Sequence, residues 1–104
     1  NLNQTYTKMT VSQQINQIQD NSYDDDIIIN GIPQGFFPAV IDNSITDGST
    51  TREISVLIMP LEQSPGGTMS CNPGLFTKGS SETSIQVTVK DDSGKELASN
   101  TTDY

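Results

Sequence analysis

Two short runs constrain this chain more than anything else in it. In "REISVLIM" (residues 52–59) Ile54, Val56 and Ile58 fall on alternate positions, and in "SETSIQVTVK" (residues 81–90) Ile85, Val87 and Val89 do the same. A period of two is that of a β-strand with one buried face. These six side chains are therefore expected to share one core. Leu57 and Met59 point away from Ile58, so the second half of the first run is expected to be covered on both faces, as in a central strand. Pro60 ends or edges that strand. The second run leads into Asp91-Asp92-Ser93-Gly94, a hairpin loop, with residues 95–98 as the return strand and residues 99–104 as a polar tail. A short strand over residues 68–71 fits between the breakers Ser64-Pro65-Gly66-Gly67 and Asn72-Pro73-Gly74.

The apolar supply allows only a thin core. The chain has 104 residues, 32% of them hydrophobic, with no Trp and no His. That length makes one domain, which buries roughly 65% of its unfolded surface. The polar residues are mostly Ser, Thr, Asn and Gln, which suits the exposed faces of strands better than disorder. The net charge of −8 excludes the basic stripe that nucleic acid requires and disfavours anionic membrane surfaces. No run reaches the ~20 apolar residues of a membrane span, so this segment is not expected to insert in a membrane. The chain begins at Asn1, and any anchoring helix or signal is expected to lie upstream or in another subunit.

The first half reads differently. In residues 1–22, Leu2, Tyr6 and Met9, then Val11, Ile15 and Ile18, recur at i, i+4 and i+7, which predicts a helix over residues 7–19 stopped by Asp20-Asn21-Ser22; a strand over residues 5–11 is the alternative. Asp24-Asp25-Asp26 reads as a solvated loop. Ile27-Ile28-Ile29 is a short buried segment before the Asn30-Gly31 turn. Residues 29–43 then pack six bulky apolar side chains around Pro33 and Pro38, which forbid a regular helix. This stretch is expected to be a stiff loop. Adjacent residues in it face opposite ways, so one of Phe36 and Phe37 is expected to enter the domain. The other, with Ile32 or Val40, is expected to meet a neighbouring subunit. The interface candidates are thus Ile32, Phe36, Phe37 and Val40, against the plainer reading that both rings cover the sheet edge.

No catalytic set emerges. Glu53, Glu62, Glu82 and Glu96 have no evident pairing for glycosidase chemistry. Cys71 is the lone cysteine, with no His to serve as its base or to complete a zinc site; it reads as a half-buried small hydrophobe, with an intermolecular disulfide or a reactive thiol as the alternatives. Asp91, Asp92 and Glu96 around one turn, like the Asp24–Asp26 run, lack an EF-hand pattern; turn aspartates more often cap their own backbone. No catalytic residue, cofactor or metal is expected, and the chain reads as no enzyme. Asn3-Gln4-Thr5 and Asn100-Thr101-Thr102 match the glycosylation acceptor pattern.

Taken in order, a polar helix ending near "INQIQDNSY", the loop "GIPQGFFP" and a central strand ending in "ISVLIMP" resemble the globular region of type IV pilins, minor pilins and pseudopilins, especially the type IVb kind. The resemblance covers most of the chain in order and texture. It implies an α+β fold: an N-terminal helix packed on a small antiparallel sheet, in one domain over residues 1–104. The helical segment would be residues 1–22, the apolar and polar loop region 23–51, and the antiparallel strands 52–104. It also implies a structural subunit of an extracellular or periplasm-facing filament whose partners are other pilin subunits. The family often closes a C-terminal loop with two cysteines, where this sequence has only Cys71. The alternative is an all-β, Ig-like sandwich of a surface adhesin or fimbrial protein, with residues 1–12 as a strand, either the domain's own or a donated one. A small inhibitor working through its acidic face is a third class.

Overall fold

The structure is a computed structural model and describes residues 8–104. The helix expected over residues 7–19 is not there: residues 10–19 form a strand, and the described residues contain no helix. The α+β expectation is therefore corrected to an all-β sandwich. The spacing misled for a definite reason. Positions i and i+4 share a helix face, but they also share a strand face, because four is even. Val11 is buried and Ile15 packs against the core, as either period allows. Only Ile18, at i+7, distinguishes the two, and it is 56% exposed beside a shift in strand register. Leu2 and Tyr6, which helped to suggest the helix, lie outside the described residues, as does the acceptor site at Asn3.

Among the described residues eight strands make two sheets. The first holds β1 (Thr10–Gln19), β2 (Ser22–Ile32) and β5 (Gly67–Cys71) in the order β1-β2-β5, with the short β6 (Phe76–Thr77) also on β2. The second holds β3 (Phe36–Ser44), β4 (Thr51–Pro60), β7 (Ser84–Lys90) and β8 (Glu96–Asp103) in the order β3-β4-β7-β8. All neighbours are antiparallel except β4 and β7, which run parallel. That pair departs from the purely antiparallel sheets of an immunoglobulin sandwich. Residues 10–12 pair with β2 of the same chain, so in this chain they are no donated strand.

The core follows from parity. Ile54, Val56, Ile58, Ile85, Val87 and Val89 are all buried, and the first sheet adds Val11, Ile27, Ile29 and Ile32. Three segments expected to be loop or tail are strand instead. Asp24, Asp25 and Asp26 lie within β2, residues 99–103 complete β8, and the Phe36-Phe37 stretch opens β3. In each case partner strands supply backbone bonds that override local composition.

The chain changes sheet at residues 33–35 and changes back at residues 61–66, and the two crossings hold each other. Gly35 N donates to Ser64 O at 2.9 Å, Leu61 N donates to Gly35 O at 2.8 Å, and the buried Ser64 donates its hydroxyl to Phe36 O at 2.7 Å. Gly66 has φ +70, and a Cβ there would sit 2.5 Å from Ile32 O. Only glycine lets the two backbones approach so closely.

Candidate functional site

The structure divides the four interface candidates. Ile32 is 3% exposed and belongs to the core. Phe36 is half-buried and packs against the core. Phe37 and Val40 are exposed at 42% and 50%. The register explains the split. Phe37 opposes Met59, Pro38 opposes Ile58, Val40 opposes Leu57 and Ile41 opposes Val56. Antiparallel partners share a face, so Phe37, Met59, Val40 and Leu57 line the outer face of the second sheet. Pro38 and Ile41 turn inward. The register slips between Pro38 and Val40, and this bulge puts Phe37 and Val40, three residues apart, on one side. Leu57 and Met59 are half-buried, so their covering comes in part from these neighbours. The 48%-exposed Leu61 lies just beyond the end of β4.

This apolar strip lies at the margin of the sheet, because β3 is an edge strand. The edge itself is blunted. Pro38 has no N–H to offer, and the bulge breaks the ladder. The surface is therefore suited to contact through side chains on its face rather than to the addition of a strand.

A second cluster, buried, joins the sheets at the other end of β4. Arg52 is in phase with Ile54, Val56 and Ile58 and is only 7% exposed. Its Nε donates to Glu82 Oε2 at 3.0 Å and its Nη2 to Glu82 Oε1 at 2.9 Å. Nη1 donates to Asn43 Oδ1 and Nη2 also to Thr77 O, both at 2.9 Å. The Phe76 ring covers the guanidinium at 4.4 Å. Glu82 further accepts from Tyr104 Oη at 2.6 Å and from Gly79 N. Burial alone would push Glu82 up, but the bonds from Arg52, Tyr104 and Gly79 together hold it below its ordinary range. Burial, and then the bond to Glu82, push the Tyr104 hydroxyl up. Sequence reading left Glu82 unpaired, because its partner lies 30 residues away.

A third site lies in the aspartate run of β2, where composition predicts a solvated loop. Asp25 is in phase with Ile27 and Ile29, has no exposed surface, and among the described residues neither carboxyl oxygen meets a donor. Burial, then Asp26, then Asp24, raise it to about 7. Asp24 and Asp26 face the other side of the sheet, where Asn72 Nδ2 donates to both, at 2.7 and 2.8 Å. Cys71 is half-buried and free, its thiol pushed up to about 11 by burial and by Asp25. That places it in the environment of an inert hydrophobe rather than a nucleophile. Asp91 caps its own turn, accepting from Ser93 N, Ser93 Oγ and Lys95 N. Among the described residues no group of three or more candidate ligands is placed to hold a metal, and no helix is long and apolar enough to cross a membrane.

Fold and sites together define a class: a two-sheet β-sandwich with a buried ionic clamp at one end and an apolar strip on one outer face. Comparison goes no further, since no protein-family model, no curated protein and no solved structure matches the chain.

Proposed function

We propose that this chain is a non-enzymatic interaction module, a β-sandwich domain of a cell-surface adhesin or fimbrial protein, and that its partner is a neighbouring subunit seated on the Phe37–Val40 strip. The observation that carries this reading is the strip itself: Phe37, Val40, Leu57 and Met59 brought to one outer face by the bulge in β3. Covering the exposed parts of Phe37 and Val40 would contribute on the order of 1–3 kcal/mol, and aromatic side chains at the centre of a contact often contribute more. The crossings tied through Ser64 and Gly66 hold β3 stiff, which lowers the entropy lost on docking. The acidic surface and the hydroxyl-rich faces accord with an extracellular setting, and the net charge of −8 gives nucleic acid no purchase. The pilin-like reading needed a helix where β1 stands, and the all-β fold supports the sandwich-domain reading instead.

Separate Phe36→Ser and Phe37→Ser variants test this, with melting temperature and sedimentation velocity as readouts. Phe36→Ser is expected to melt early because it opens the core margin. Phe37→Ser is expected to melt within a few degrees of wild type and to lose self-association at high protein concentration. A Phe37→Ser protein that associates as wild type does, or a wild type monomeric at every concentration, would remove the basis of the reading.

A further inference from the structure

The half-buried Gln13 and the buried Asp25 have a use that the apolar strip does not explain. Gln13 opposes Ile27 and Asp25 opposes Ile15 in the β1–β2 ladder, so the two are diagonal neighbours on one face. Gln13 Nε2 donates to Ile85 O at 3.0 Å and to Asn100 O at 3.1 Å, strapping β1 to the second sheet. Two carbonyl acceptors fix the orientation of the amide, nitrogen toward β7 and β8. Its oxygen is left buried without a donor, as are both oxygens of Asp25. Three orphaned acceptors and no donor is the wrong inventory for a charged carboxylate and the right one for a carboxylic acid, which brings one O–H.

Among the described residues nothing near Asp25 supplies a compensating positive charge. On its own strand stand Asp24, Asp26 and Tyr23; β1 carries no titratable side chain; β5 brings only Cys71, and β6 none. From the second sheet and the residues flanking it the inward titratable groups are Arg52, Glu82 and Tyr104; the donors of Arg52 are spent on Glu82, Asn43 and Thr77, and the half-buried Lys78 just after β6 lies over the Tyr104 ring.

We propose that Asp25 is a pH sensor built into the sandwich: the folded protein holds it as the neutral acid, its proton directed at Gln13 Oε1, and loss of that proton loosens β1 and β2 from the second sheet. The carboxyl titrates near 7 in the fold against an ordinary value of 3.8. The fold therefore binds a proton that the unfolded chain has already released, and stability falls as pH rises through this window. The unfolding equilibrium constant should rise roughly ten- to hundredfold from pH 5 to pH 8 through this group.

Two measurements test it on the full chain. The first is urea unfolding of wild type and Asp25→Asn across pH 4–8.5. The amide mimics the neutral acid, so the variant should lose the excess fall in stability, while the slope common to all surface carboxylates remains in both proteins. Equal slopes would overturn the proposal. The second is the carboxyl ¹³C titration of Asp25 in the wild type, which needs no variant to fold. A midpoint well above the other aspartates is expected, and a midpoint among them would overturn the proposal.

Discussion

Asp25 and Glu82 are two carboxylic acids buried almost equally in one small sandwich, at 0% and 2% exposure, and their surroundings drive them in opposite directions. Glu82 lies in the approach to β7, where Arg52, Tyr104 and Gly79 bring donors to both oxygens. It stays ionised below its ordinary range. Asp25 lies among apolar side chains with two carboxylates behind it, and it is raised to about 7. Both are buried; what differs is the supply of donors and the sign of the neighbouring charge. A buried acid is thus a clamp or a sensor according to its partners. The consequences for pH are opposite in sign. Stability contributed by Glu82 is present above its unfolded value and lost as pH falls through its folded value. Stability tied to Asp25 is full below its ordinary value of 3.8 and lost as pH rises toward 7. The wild type should be most stable at about pH 4–5, between the two limbs.

Arg52→Met is the largest expected blow to this contrast. It leaves Glu82 buried without its cation and should cost about 3–5 kcal/mol near neutral pH. It should also turn Glu82 into a second Asp25, so that the variant regains stability on acidification where the wild type loses the Glu82 contribution. A urea titration at pH 4.5 and 7.5 checks this, and an equal loss at both would break the comparison. Ile58→Ala, which touches neither acid, should cost about 2–4 kcal/mol at every pH; its melting curves are the control for a pure packing defect. Asp25→Asn should be more stable than wild type at pH 8, on the order of 2–3 kcal/mol, and equal to it near pH 4. Tyr104→Phe is the smallest change. It removes one donor from Glu82 and should cost about 1–2 kcal/mol near neutral pH, with the acid limb of the wild-type profile moved to higher pH.

Each of the two buried sites carried a trace in the sequence, through one residue apiece. Asp25 shares parity with Ile27 and Ile29, and Arg52 with Ile54, Val56 and Ile58. An inward position held by a charge is a sign of something unusual, but three consecutive aspartates look like solvated loop when read by composition. The pairing of Arg52 with Glu82 left no local signal, since it is made by the parallel alignment of β4 with β7. At the surface, Phe36 and Phe37 did divide between inside and outside, as alternation implies. Ile32 went to the core because β2 runs through it.

The sequence by itself determined the two strands with unbroken alternation, their six core residues and the hairpin loop at Asp91. These depend only on spacing along the chain and on the conformational habits of a few turn residues. The tertiary structure alone decided that residues 10–19 are strand, since i and i+4 fit both periods until a partner strand takes up the backbone bonds. It alone decided which carboxyls are clamped and which are orphaned. A side chain's donors come from residues tens of positions away, and no local pattern records them.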